Sequence, residues 1–225
     1  MNEDVAKFID HTQLRADASE KEIVDLCDEA LTYGFASVCL NPCYVFLAAR
    51  KLQGSAVKVC TVTGFPLGAA ATTVKAFETA RSIKDGAREV DMVLNIGAIK
   101  SGNWHYAEED IRSVVAVARR SRERIVVKVI LETCLLTDEE KKRVLFMLLN
   151  TGADFVKTST GFSDKGAVVE DVRLMKEIVG EKMFVKASGG IRNFAVYKTM
   201  REAGADRIGT SSGVKILREA RSAAD

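Results

Sequence analysis

The chain has 225 residues, 47% of them hydrophobic and 28% charged, with a formal net charge of +2. That balance suits a globular protein with one large core and excludes the strongly basic surface of a nucleic-acid or acidic-membrane binder. The N-terminal "MNEDVAKFID" has no basic-then-apolar leader, and no run of about 18 apolar residues exists to cross a bilayer.

A cytoplasmic protein with no membrane or nucleic-acid partner is therefore expected. The five cysteines, Cys27, Cys39, Cys43, Cys60 and Cys134, are odd in number and follow no zinc or C-x-x-C spacing, which fits a reducing compartment. The basic run "RRSRER" at 119–124 reads as a solvated helix end.

In chain order, short β-rich runs fall at 7–11, 37–40, 57–62, 89–94, 125–131, 155–158, 183–187 and 206–209. Between and after them lie helical patterns, from "SEKEIVDLCDEALTY" through "ATTVKAFETARSIKD" and "YAEEDIRSVVAVARRS" to "VKILREARS". Thr137 followed by Glu140 is a capping box that starts one of these helices. A weak repeat runs through "YGFASVCL", "DGAREVDMVL", "TGADFVKTS" and "AGADRIGTS". In each, a helix stops at a glycine and a strand follows. Only Pro42 and Pro66 interrupt the chain, and no Pro/Ser/Gly-rich linker divides it, so one domain over 1–225 is expected. Eight alternating units predict a single-domain (β/α)8 TIM barrel. The rival, an open doubly wound sheet that binds a dinucleotide, wants G-x-G-x-x-G in its first turn, and "IDHTQLRAD" does not offer it.

Strand parity then sorts the polar residues. Val90, Met92 and Leu94 read as helix-facing, which leaves Glu89, Asp91, Val93 and Asn95 inside. "FVKTS" and "FVKAS" turn Lys157 and Lys186 inward from neighbouring strands, and "IVVKVILET" puts Lys128, Ile130 and Glu132 on one side. Asp10 and Thr12 from "FIDHT" are candidates for the same mouth. At roughly 6 Å and an effective dielectric of about 20, two ammonium groups repel by about 3 kcal/mol, or about two pKa units. That lowers the proton affinity of one amine, and a lysine beside another cation is a recognised nucleophile. An amine nucleophile forms a Schiff base with a carbonyl.

"SGGIRNF" and "IGTSSGVKI" place small residues before the last two helices, the usual phosphate cradle of a barrel. Gly189, Gly190, Ser211 and Ser212 are the candidates. "GTSSG" also fits the G-x-S-x-G elbow of hydrolases, but both histidines, His11 and His105, precede it, against the order that elbow requires. His11 reads as a packing residue and His105 as a surface residue at a helix start. Two histidines make a multi-histidine zinc site hard to build.

Taken together, "IDHTQL", "SVCLNP", "TVTGFPLG", "EVDMVLNIG", "VVKVILET", "ADFVKTSTGF", "VKASGGIR" and "DRIGTSSG" closely resemble the deoxyribose-phosphate aldolase family, class I aldolases on a (β/α)8 barrel. The resemblance spans nearly the whole chain. It implies reversible cleavage of 2-deoxy-D-ribose 5-phosphate to D-glyceraldehyde 3-phosphate and acetaldehyde, with no metal and no organic cofactor. By the same resemblance Lys157 matches the Schiff-base lysine. Lys186 matches the second lysine, which perturbs the nucleophile and shares in proton transfer. Asp91 matches the aspartate that relays protons with a bound water, and Lys128 a supporting lysine. Gly161, Gly189, Gly190, Ser211 and Ser212 match positions around the phosphate. The implied partners are small phosphorylated sugars and aldehydes, and a homo-oligomer is expected. Asp164 and Lys165, in "GFSDKGAVVED", depart from the small, glycine-rich stretch of relatives, and Lys165 reads as solvated. Another class I aldolase, a phosphosugar isomerase or synthase, and a non-catalytic phosphosugar-binding barrel are the alternatives.

Overall fold

The computed structural model describes residues 5–223. Its elements alternate. Strand β1 (Ile9–Gln13) leads to helix α1 (Glu20–Tyr33), β2 (Ser37–Leu40) to α2 (Val45–Lys51), and β3 (Lys58–Thr63) to α3 (Thr72–Asp85). After β4 (Glu89–Val93) come two helices, α4 (Ile96–Lys100) and α5 (Trp104–Arg119). The chain continues through β5 (Val126–Ile130), α6 (Asp138–Leu148), β6 (Phe155–Lys157), α7 (Val169–Val179), β7 (Phe184–Ser188), α8 (Phe194–Glu202), β8 (Arg207–Thr210) and α9 (Gly213–Ser222). The strands pair in sequence order, all parallel, and β8 closes on β1 through Ile9↔Ile208. This is a (β/α)8 TIM barrel.

Local chemistry explains the boundaries. The Thr137–Glu140 capping box forms, and a second one, Ser19 with Glu22, starts α1. Gly34, Gly86, Gly152 and Gly204, the four repeat glycines, all take positive φ. The first strand begins two residues later than the sequence reading has it. Val5–Phe8 wind into a 3-10 turn, and Ile9 is the first residue that pairs with a neighbouring strand. Helix α4 is absent from that reading because five residues are too few to show a helical period. The side chain of Asn95 caps it by accepting from the Ala98 amide at 3.0 Å.

Val90, Met92 and Leu94 pack outward against the helices, as do Val156 and Val185. Inside the barrel a smaller apolar cluster joins Leu14, Cys39, Cys60 and Val62, with Phe65 against it. Among the described residues, one fully buried charge pair lies outside the barrel. Lys75 on α3 and Asp110 on α5 are both fully buried and 2.5 Å apart. Lys75 Nζ also donates to the Val93 carbonyl at 3.0 Å, and the Thr72 hydroxyl donates to Asp110 at 3.0 Å. Among the described residues no helix is long and apolar enough to cross a membrane.

Candidate active site

Parallel register carries the inward positions round the barrel. Asp91 pairs with Lys128, Ile130 with Lys157, Lys157 with Lys186, and Lys186 with Arg207. Asp10 pairs with Ser37 on one side and Gly209 on the other. A side chain at Gly209 would bring its Cβ to 3.0 Å from Lys186 Cε, so this glycine leaves the space that the lysine stem fills.

Asp91 is the hub. Its Oδ2 accepts from Lys157 and from Lys186, each at 2.8 Å. Its Oδ1 accepts from Lys128 at 2.9 Å and from the Cys60 thiol at 3.1 Å. Lys186 is also ion-paired to Asp10. Asp10 in turn takes the Arg207 guanidinium at 2.5 Å and the Ser37 hydroxyl at 2.6 Å. Lys128 reaches Glu89 at 2.5 Å and stands 3.8 Å from Asp10. Four cations thus face three carboxylates, and all but Arg207 are buried.

Charge balance overrides burial here. Burial alone would raise Asp91, but Lys128, Lys157 and Lys186 hold its carboxyl well below the usual range. Asp10 behaves alike, with Arg207 ahead of Lys186 as the cation that outweighs burial. Burial would strip the proton from Lys186, yet Asp10 and Asp91 raise its affinity instead. Lys128 is driven well up against its own burial by Asp91, Cys60 and Glu89.

The sequence candidates do not all gather. Asp91, Lys128, Lys157, Lys186 and Asp10 form one cluster. Thr12 does not join it, because its hydroxyl donates to the carbonyl of Asp10 at 2.8 Å. Glu132 lies at the end of β5 but turns to the next loop. It is the only non-glycine with positive φ among the described residues, at 53°, and its buried carboxylate accepts the hydroxyl and amide of Thr160. His11 faces away from the mouth. It meets Glu29 at 2.6 Å, lies with its ring centroid 4.7 Å from that of Phe35, and burial lowers its pKa. His105 is exposed in the first turn of α5.

At the open end, Gly161, Gly190 and Ser211 are exposed, and Gly189 and Ser212 half-buried. The Thr210 hydroxyl joins the last two loops, donating to the Ile191 carbonyl at 2.6 Å and accepting the Ser212 amide at 2.9 Å. The loop after β6 folds onto the same place. The Ala167 amide donates to the carbonyls of Ser188 and Gly189, and a Cβ at Gly189 would fall 2.8 Å from Gly166 Cα. Asp164 and Lys165 are exposed on that loop.

Arg207 and Cys60 are missing from the sequence-level site. Arg207 shares the parity of Gly209 in "DRIGT" and pairs with Lys186, a signal that strand register would have supplied. Cys60 follows its neighbour Cys39 by pairing across β2 and β3, which no spacing motif describes.

Lysine amines gathered on one carboxylate at the mouth of a barrel are groups able to move protons and to meet a carbonyl carbon. The model of the DeoC/LacD family aldolases matches residues 5–222. The deoxyribose-phosphate aldolase of Geobacillus sp. (strain WCH70) is 57% identical over 96% of this chain and 96% of that protein. The deoxyribose-phosphate aldolase of Clostridium tetani is 55% identical over 97% of this chain and 100% of its own length. The solved tetrameric deoxyribose phosphate aldolase of Aeropyrum pernix superposes with a TM-score of 0.90 at 36% identity, covering 97% of this chain and 92% of that one. The chain belongs to the DeoC/LacD aldolase family. It is an aldolase, a lyase.

Proposed function

We propose that this aldolase cleaves 2-deoxy-D-ribose 5-phosphate reversibly to D-glyceraldehyde 3-phosphate and acetaldehyde through a Schiff base on Lys157. One observation carries the choice of lysine. Lys186 meets two carboxylates and Lys128 three, and both are fully buried. Lys157 meets Asp91 alone among the described residues, and its side chain is 3% exposed, the most open of the three. A nucleophile must leave its counterion and meet the substrate, and Lys157 has the least to leave.

The steps follow from that placement. The neutral Lys157 amine adds to the aldehyde carbon C1, and the carbinolamine loses water to give an iminium. The C3 hydroxyl gives up its proton, the C2–C3 bond breaks, and its electron pair flows into the iminium to form an enamine. Glyceraldehyde 3-phosphate departs. Protonation of the enamine at C2 and hydrolysis release acetaldehyde and restore the amine. Asp91, 2.8 Å from both Lys157 and Lys186, is placed to pass protons between them and water. Lys186 remains a cation beside the reacting amine, and Lys128 and Asp10 hold Asp91 and Lys186 in place.

Gly161, Gly189, Gly190, Ser211 and Ser212 are our candidates for the phosphate, where backbone amides before two helices would meet the dianion. Its binding anchors the reacting carbons at the other end of the sugar. We read 1–225 as one barrel domain working in the cytoplasm. The tetrameric relative and the exposed Leu67, Val74 and Phe77 support a homo-oligomer.

The test is product analysis with 2-deoxy-D-ribose 5-phosphate. Equal release of acetaldehyde and glyceraldehyde 3-phosphate is expected. Isomerised sugar without acetaldehyde would assign an isomerase, and cleavage of other aldol donors alone would assign a different class I aldolase.

A further inference from the structure

Cys39 and Cys60 are direct partners across β2 and β3, and both point into the barrel. Each is fully buried. Together with Asp91 they form a set whose ligand atoms, two sulfurs and one carboxylate oxygen, all lie within 4.8 Å of one another. The Cys60 thiol already donates to Asp91 Oδ1 at 3.1 Å, and Lys128 Nζ stands 3.4 Å from its sulfur. Buried cysteines are ordinarily inert packing, and Cys27, on the buried face of α1, fits that description. The Cys39–Cys60 pair differs, because two thiols and a carboxylate converge on one point.

Those donors suit a soft divalent cation. Tetrahedral zinc takes thiolate sulfur at about 2.3 Å and carboxylate oxygen at about 2.0–2.2 Å, which sets neighbouring ligand atoms about 3.6–3.8 Å apart. The set, within 4.8 Å, needs to close by at most about 1 Å to reach that spacing. Thiolates select zinc-like ions over magnesium or calcium.

We propose that Cys39, Cys60 and Asp91 form an inhibitory site for a thiophilic divalent cation such as Zn2+ or Cd2+. Binding forms two metal–sulfur bonds and one metal–oxygen bond, and the two thiol protons leave to solvent. The dication and the two thiolates cancel, so the net charge of the buried cluster does not change. Asp91 Oδ1 leaves Cys60 and Lys128 for the metal. The carboxylate shared by Lys157 and Lys186 is then committed elsewhere, and turnover stops. Coordination stands on the geometry alone, whereas inhibition rests on the Schiff-base reading above.

The experiment uses the full chain with the more accessible cysteines removed, Cys43→Ser and Cys134→Ser. Cd2+ is titrated into the reduced protein while the ultraviolet thiolate-to-cadmium charge-transfer band and turnover are followed together. One Cd2+ per chain is expected, with turnover falling in step with the band and returning on chelation. Cys39→Ala and Cys60→Ala are each expected to weaken Cd2+ binding by more than about 100-fold, the upper end of the effect of losing a mere supporting residue. The cadmium-113 shift of the unsubstituted protein gives the number of bound sulfurs without any variant, and two are expected. No band, a band that survives either alanine, or a shift without sulfur overturns the site. A two-thiolate band with undiminished turnover overturns its inhibitory role. A band in a protein that cleaves no sugar phosphate would refute the proposed function and leave the site standing.

Discussion

Lys157 and Lys186 donate to the same oxygen, Asp91 Oδ2, each at 2.8 Å. Their ammonium groups therefore sit within two hydrogen-bond lengths of one another, held there by the carboxylate between them. Asp91→Asn removes that charge and leaves the lysines facing each other across a neutral amide. We expect kcat to fall by about 10²–10⁴-fold, the range for losing a positioned proton carrier. Steady-state kinetics on the folded variant measures it, and a kcat near that of the parent would remove Asp91 from the mechanism.

Asp10 makes the acid limb of stability steep. Its carboxyl is held far below its ordinary value of 3.8 because Arg207, Lys186 and Lys128 outweigh burial. The sign follows from linkage. Above about pH 4 both folded and unfolded chains carry the charge, and the stabilisation is present in full. As pH falls below that value the unfolded chain takes up a proton that the folded chain refuses, so stability drains away. Urea unfolding between pH 3 and pH 6 should show a shallower loss in Asp10→Asn than in the parent. Equal slopes would contradict the ion pairing.

The Lys75–Asp110 pair ties α3 and α5 to the end of β4, two residues beyond Asp91. Removing one partner of a fully buried pair strands the other, a cost of about 3–5 kcal/mol. Lys75→Met should lose that much in chemical denaturation. Lys75→Met with Asp110→Leu should recover most of it, since no buried charge is left alone. A double variant no better than the single would show that the pair contributes geometry rather than neutralisation.

Gly189 has φ of 87° and abuts Gly166. Alanine there must adopt a left-handed backbone, at about 1–2 kcal/mol, and push the loop after β6 away. A loss of that size on the loops proposed to hold the phosphate is about tenfold in affinity. We expect KM for 2-deoxy-D-ribose 5-phosphate to rise by about that factor, with a smaller change for unphosphorylated 2-deoxy-D-ribose. Equal effects on both sugars would remove this loop from phosphate binding.

The barrel and its lysines were legible because they rest on local patterns. Glycine stops, apolar runs and strand parity place Lys157, Lys186, Lys128 and Asp91 on one side before any contact is known. What escaped depends on pairing between segments. Arg207 joins the site only through its register with Lys186, and Cys39 meets Cys60 only through the pairing of β2 and β3. Lys75 and Asp110 lie 35 residues apart on two helices, and no local pattern joins them. Thr12 has the right parity but spends its hydroxyl on its own strand.

Lys157 is proposed above as the amine that bonds to the substrate. Incubation with acetaldehyde, reduction with borohydride and peptide mapping by mass spectrometry test it directly. One ethyl adduct is expected, on Lys157, and none after Lys157→Leu. An adduct on Lys186 or Lys128, or no adduct on the folded parent, would contradict it.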